Sequence, residues 1–409
     1  MSPQNGSEGP PSAAAGGGEP EPLWTRAYVM AMVVQLGASI VFVTLMTYMA
    51  VYAMTMFGAR DSAAGFAASA FILGSALTRI FVGKYVDFIG RKRLITIALV
   101  LFLLCSALYP LITEYPALIA LRIVHGGAFG AISTGITVSV VSMVPPSRRG
   151  EGMGYFLAAS TFAMGIGPLL AVQLSENVSP GAVFLMTALS SAVALIAALM
   201  ARLPERTPSP DEHEQRFRIR LRDILDPDAL PVAVVVMLCA FGYSGIVTYL
   251  NPFLLDRNMP AAASLYFVVF AAGMLVIRLL SGRQQDLRGD NAVIIPLTLL
   301  FAVSLAVLAL STALWAVVIA GALGGMGYGA LLPSLQAVAV TRAHPERIGI
   351  AVSTHYLLLD TGVALGPVLF GTLIPLGGYP TLYGALAGTV VAAVVLYWFV
   401  HGRRSAGAS

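Results

Sequence analysis

Charge is scarce in this chain: Asp, Glu, Lys and Arg make up 11% of its 409 residues, while 57% are hydrophobic and the mean hydropathy is +0.82. Soluble domains carry about 25% charged residues, so the composition excludes a soluble globular protein and calls for a bilayer around it. Cysteine is nearly absent. Cys105 and Cys239 each lie within an apolar run, which excludes a disulfide framework, and no Cys/His cluster has zinc spacing. Neither a metal nor an organic cofactor is expected. The first 26 residues lack an apolar run, which argues against a secretory signal peptide and makes 1–27 a disordered tail. Nucleophile–base pairs and phosphate-binding loops are missing, which argues against an enzyme. The polar segments are too short for the soluble output domain of a receptor, and nothing points to a nucleic-acid partner.

What is present is a succession of apolar runs, each about the 20 residues that cross a bilayer as a helix. They fall near 28–52, 63–82, 94–112, 116–143, 151–174 and 181–200, then near 230–254, 262–281, 292–311, 313–341, 349–374 and 379–400. The expected fold is an all-α membrane protein of twelve transmembrane helices, arranged as two pseudo-symmetric six-helix bundles. The bundles occupy 28–202 and 229–400, joined by a linker at 203–228 and followed by a short tail at 401–409. The linker alternates signs around Asp211 and Glu214, then turns basic from Arg216 to Arg222. That pattern suits a solvated helix whose Arg face meets anionic lipid headgroups.

Basic residues decide the orientation. With both termini cytoplasmic, 19 of the 24 Lys and Arg fall in inner segments and only Arg60 and Arg257 in outer ones. Arg79, Arg122 and Arg278 are left within spans. A multi-pass protein of the cell inner membrane is expected, working as a monomer.

A shift of 199 residues lays one half of the chain over the other. Arg79 pairs with Arg278, Gly83 with Gly282, Asp87 with Asp286, and Gly90 with Gly289. Gly126-Gly-Ala-Phe-Gly-Ala131 covers Gly325-Met-Gly-Tyr-Gly-Ala330, and Gly167-Pro168 covers Gly366-Pro367. Two like bundles related by an axis along the membrane normal place a binding site between them, near the midplane.

The segment Gly83-Lys-Tyr-Val-Asp-Phe-Ile-Gly-Arg-Lys-Arg93 reads as a loop between the second and third helices, and as a gate. Gly83 permits close helix approach, Gly90 a tight turn, and Asp87 can face the positive N-terminus of a helix in the other half. By the repeat, Asp87 should meet the helix starting near Ile348 and Asp286 the one starting near Gly150. The segment resembles the signature loop of the major facilitator superfamily, with Phe88 in place of the family's usual Arg. Leu121-Arg-Ile-Val-His-Gly-Gly-Ala-Phe-Gly130 resembles a motif of that superfamily's proton-coupled members, which implies a coupling role for Arg122. His125, three residues on and on the same face, either titrates with it or only hydrogen-bonds. Gly165-Ile-Gly-Pro-Leu-Leu-Ala171 resembles the Gly-Pro motif of its antiporters, although Ala171 replaces a Gly. Gly167 with Pro168, and Gly366 with Pro367, are expected to bend their helices.

Asp360 is the only carboxylate well inside a span. An acid at membrane depth is either a proton site or is neutralised by a fixed Arg or Lys. Ser353, Tyr356 and Asp360 make one polar stripe, with His355 pointing elsewhere. Gln35, Thr47, Tyr48, Tyr243, Asn251 and Tyr356 are candidate cavity residues, and Asn251-Pro252 is expected to break its helix. The resemblance, closest to the twelve-helix drug:proton antiporters, implies export of small organic molecules in exchange for protons by alternating access. The alternative is uptake, or export of one metabolite. That metabolite would be a sugar, or an acidic or zwitterionic compound such as an opine-type metallophore, which Arg122 would suit as the sole cation in mid-cavity.

Overall fold

The computed structural model describes residues 22–214, 220–259 and 262–403. The expected tail up to residue 21, the basic stretch that includes Arg216 and Arg218, and the last six residues lie outside the described ones. Twelve long helices account for most of the described residues, and no strand occurs among them. They are α1 (Arg26–Phe57), α2 (Asp61–Ile89), α3 (Arg91–Leu108), α4 (Tyr115–Met143), α5 (Arg149–Asn177) and α6 (Pro180–Met200). The second six are α7 (Leu230–Asp256), α8 (Ala262–Arg288), α9 (Asn291–Leu310), α10 (Leu314–Arg342), α11 (Ile348–Gly371) and α12 (Ile374–Tyr397). By length and composition, eleven helices among the described residues could cross a membrane.

Local chemistry sets the helix ends. The Thr25 side chain accepts from the Tyr28 N–H to start α1, and Gly58, at φ 60°, stops it. Ser179 caps α6, with Pro180 in the first turn. Asp226, fully buried, accepts from the N–H groups of Asp228 and Ala229 at the head of α7. These are the side-chain acceptors that orphan N–H groups require.

Two expectations need correcting. The supposed loop from Gly83 is helix as far as Ile89, because leaving the apolar zone does not stop backbone bonding. Gly90 alone makes the turn, at φ 91°, and Gly289 repeats it at φ 82°. The break at Asn251–Pro252 is absent. Pro252 costs one backbone bond, but the next turn is anchored by buried Phe253 and Leu254, and α7 runs on to Asp256. The twelfth helix runs unbroken only from residue 379, after non-helical Gly377 and Gly378, with a short turn from Ile374 ahead of them.

The sequence repeat is a repeat of backbone contacts. A Cβ on Gly126 would strike the carbonyl oxygen of Phe71, and one on Gly325 the carbonyl of Phe270. Both members of each pair are 199 residues from their counterparts. Gly130 against Ser75 and Gly329 against Met274 repeat the arrangement. Small residues at these crossings let α2 lie on α4, and α8 on α10, backbone to backbone, as helices in lipid require. One hydrophobic cluster spans Leu23–Leu203 with Val340 and Val352 added; a second spans Ala229–Tyr397. Across the seam between bundles, α2 packs on α11 and α5 on α8.

Candidate functional site

The seam is tightest where the linker crosses it. Gly83 faces Gly349 and Ser353, and Gly282 faces Gly150, so closely that no Cβ fits at either place. At the second contact Asp286 accepts from the N–H of Gly150 and of Glu151, both at 2.8 Å. A carboxylate thus sits on the positive end of α5, where the repeat put it. The first contact departs from the symmetry. Asp87 does not reach the head of α11: one oxygen accepts from Arg91 Nε at 2.7 Å and the other from the linker's Arg206 at 3.4 Å. With both oxygens engaged, the N-terminus of α11 has no side-chain cap.

The linker is a strap rather than a free helix. Two short helical turns, Pro210–Glu214 and Leu221–Ile224, stand between residues bonded to both bundles. Glu205 accepts from the N–H groups of Arg91 and Lys92, just past the Gly90 turn. Lys84 pairs with Asp223 at 2.8 Å, and Arg347 with Asp226 at 2.6 Å. Burial pushes the Asp223 carboxyl up, but the Lys84 hydrogen bond, the Arg220 backbone N–H and the charges of Lys84 and Arg347 together outweigh it and hold the group below its ordinary value.

Deeper in the seam Asp360 meets Arg79, of α2, in an ion pair that joins the two bundles. Arg79 also donates to Ser133 at 3.1 Å and lies over the ring of Tyr356, 4.6 Å from its centroid. The Tyr356 hydroxyl reaches Thr137 of α4 at 3.2 Å. The polar stripe of α11 therefore faces α2, and Asp360 is paired there with Arg79, one of the three arginines left within the spans. Arg278, the repeat partner of Arg79, occupies the matching place on α8. It is 4% exposed and donates to the carbonyls of Gly329 and Leu157, at 2.7 and 2.6 Å, and to the Thr161 hydroxyl. Tyr243 and Tyr328, stacked 4.6 Å apart, stand beside it with Tyr356.

Other expected site residues lie elsewhere. Arg122 is not a mid-cavity cation. It is fully buried inside the first bundle, donating to the Ala67 and Ala68 carbonyls and covering the Phe71 ring. His125 is sealed next to it, sharing hydrogen bonds with Tyr109 at 3.0 Å and Ser106 at 3.4 Å. Their helix face points into α2 and α3, because the glycines of α4 draw those helices in. Tyr48 packs with Tyr52 and Phe184 between α1 and α6, and exposed Thr47 bonds to its own helix. Gln35 donates to Ser160 of α5 at 2.8 Å. Gly167 and Gly366 are close-approach points, against Val43 and Ser244 respectively, in helices that run through without a break. Tyr249 donates to the Pro367 carbonyl at 2.8 Å. The side chains of Asn251 and Pro168 lie outside the described ones. Arg79, Arg278, Thr161 and Tyr328 are the residues that sequence reasoning missed, although self-comparison had already singled out the two arginines.

Two six-helix bundles, each built on the same glycine contacts and meeting at a charged midplane seam, define a membrane transporter fold. A family model of the Major Facilitator Superfamily matches residues 27–289 and 260–409, and the chain belongs to that superfamily. It is a multi-pass membrane protein, and its relatives are carriers rather than enzymes. It is 23% identical over 353 residues to multidrug resistance protein 2 of Bacillus subtilis (strain 168), covering 82% of this chain and 86% of that one. It is 24% identical over 348 residues to the uncharacterized MFS-type transporter YhhS of Escherichia coli (strain K12), covering 83% and 84%. The fold is also that of the human organic anion transporter MFSD10 (TETRAN), with TM-score 0.72, 17% identity and coverage of 91% and 98%. The transporter FucP in its outward conformation gives TM-score 0.73, 16% identity and coverage of 91% and 99%.

Proposed function

We propose that this chain exports small organic molecules across the inner membrane in exchange for protons, with the linker side cytoplasmic. One observation carries the reading: the Asp360–Arg79 pair, an acid and a base held between bundles at membrane depth. Protonating Asp360 removes the charge–charge attraction between them, and the bundles separate more easily where α2 meets α11. The ionisable groups around the carboxylate are Arg79 and, within reach of Arg79, His355; Tyr356 lies against the same guanidinium. The gate residues Gly83, Asp87, Gly90, Arg91 and Asp286 close the cytoplasmic side in the present conformation. Arg122 and His125 stiffen the first bundle instead of carrying the proton. Both halves of the site come from one chain, which supports a monomer as the unit of transport. The likeness to multidrug resistance protein 2 supports export.

The test is proton release from inverted membrane vesicles acidified by respiration and challenged with a compound panel. Wild type is expected to show dequenching of a pH-gradient dye with some compounds, and Asp360→Asn to lose it. Dequenching that survives in Asp360→Asn removes Asp360 as the proton carrier. No response to any compound removes antiport.

A further inference from the structure

The two arginines of the repeat sit in like settings but are not neutralised alike. Each crosses the seam to the facing helix of the other bundle, Arg79 to α11 and Arg278 to α5. The group that meets Arg79 there is the carboxylate of Asp360; the residue 199 positions earlier, which meets Arg278, is Thr161. Tyr356, which covers the Arg79 guanidinium, likewise corresponds to Leu157, whose carbonyl accepts from Arg278. Arg278 thus has carbonyl and hydroxyl partners but no carboxylate among the described residues. A buried guanidinium without a counter-ion is costly at membrane depth and marks a place where an anion is favoured.

The surroundings add unpartnered polar groups. Arg278 Nη2 makes no hydrogen bond among the described residues, and neither do the hydroxyls of Tyr243 and Tyr328. None of these three atoms is among the fully buried orphans of the protein. The three residues form one cluster on α7, α8 and α10, on the second-bundle side of the seam. Arg122 supplies no competing positive charge, being sealed inside the first bundle.

We infer that Arg278 with Tyr243 and Tyr328 forms the subsite for a carboxylate or similar oxyanion of the transported molecule, held against Arg278 as Asp360 is held against Arg79. A planar guanidinium and two hydroxyl donors suit an oxyanion, and such charge-assisted bonds are about twice as strong as neutral ones. The inference rests on the reading of the chain as a carrier of small molecules between its bundles. It does not require that the carrier be driven by protons.

The experiment measures binding to the purified full chain in detergent, where no proton gradient exists, through the shift in thermal unfolding midpoint. Benzoate, salicylate, indole-3-acetate and hexanoate are each compared with their primary amides at equal ionic strength. At least one carboxylate is expected to raise the midpoint of the wild type while its amide does not. Arg278→Gln should lose the difference and Arg278→Lys keep part of it. Thr161→Asp retains Arg278 and recreates the paired arrangement of the other half, so it should fold yet lose the preference because its own carboxylate fills the place. That variant keeps the test decisive even if Arg278→Gln fails to fold. Amides binding as well as carboxylates throughout, no carboxylate binding, or a preference undiminished in Thr161→Asp would each overturn the subsite. A carboxylate preference without proton release in vesicles would leave the subsite standing and remove the proton-coupled reading.

Discussion

Three guanidinium groups lie within the spans, and each meets a different kind of partner. Arg122 spends its donors on two backbone carbonyls of α2 and stiffens a bundle. Arg79 binds an acid across the seam, and Arg278 binds backbone and hydroxyl groups there. An arginine whose partner is a carboxylate is half of a pair, and removing one half alone strands the other. Arg79→Gln leaves Asp360, half-buried in the seam, without its counter-ion, a loss of up to about 3–5 kcal/mol, the figure for fully buried pairs. The expected result is a clear drop in thermal stability in detergent, largely recovered in the double variant Arg79→Gln with Asp360→Asn. Equal stability of the single and double variants would show that the two groups are not coupled.

Among the elements, the linker does the most with the fewest residues. Glu205, Arg206, Asp223 and Asp226 tie it to α2, α3 and the head of α11. Its carboxyls are sensitive to acid in a defined direction. Burial raises both Asp223 and Glu212, but the hydrogen bonds and charges around each, led by Lys84 and Arg206 respectively, together outweigh it, so both sit below their ordinary values. A depressed carboxyl contributes stability above its unfolded pKa and loses it as pH falls through the folded one. The strap should therefore hold at neutral pH and loosen below about pH 4, the ordinary carboxylate value. A spin label on Thr207→Cys is expected to become mobile on that acidification, and Asp223→Asn to bring part of the change to neutral pH. A label whose mobility ignores pH would mean that the ion pairs do not hold the strap.

For the whole molecule, the hydrogen bonds between bundles among the described residues lie at the linker end and near mid-depth, so this conformation is closed on the linker side. Closure needs backbone contact at Gly282 with Gly150 and at Gly83 with Gly349. Gly282→Val should hold the seam apart, because a side chain there meets backbone atoms that have nowhere to go. Ser353→Cys, buried against Gly83 at that end, is then expected to react faster with a membrane-impermeant maleimide than it does in the Gly282 parent. Both native cysteines are buried and add little background. An unchanged rate would show that the glycine contact does not set the closed state.

The sequence by itself determined the class of fold, because a helix in lipid must bond its own backbone and announces itself as an apolar run. It also determined the two-fold repeat, since the glycines at helix crossings cannot change without opening the contact, and their spacing survives as a shift of 199. It placed Asp286 on the head of α5 and put Ser353, Tyr356 and Asp360 on one face, both local or repeat-based inferences. What only the tertiary structure decided was which polar side chains share a partner. Rotation of α4 about its axis sends Arg122 and His125 into the first bundle, and that angle follows from glycine contacts with α2, not from spacing within α4. The partners Arg79 and Asp360 are 281 residues apart. Nothing local signals such a pair, because it exists only once two separately folded bundles meet at the seam.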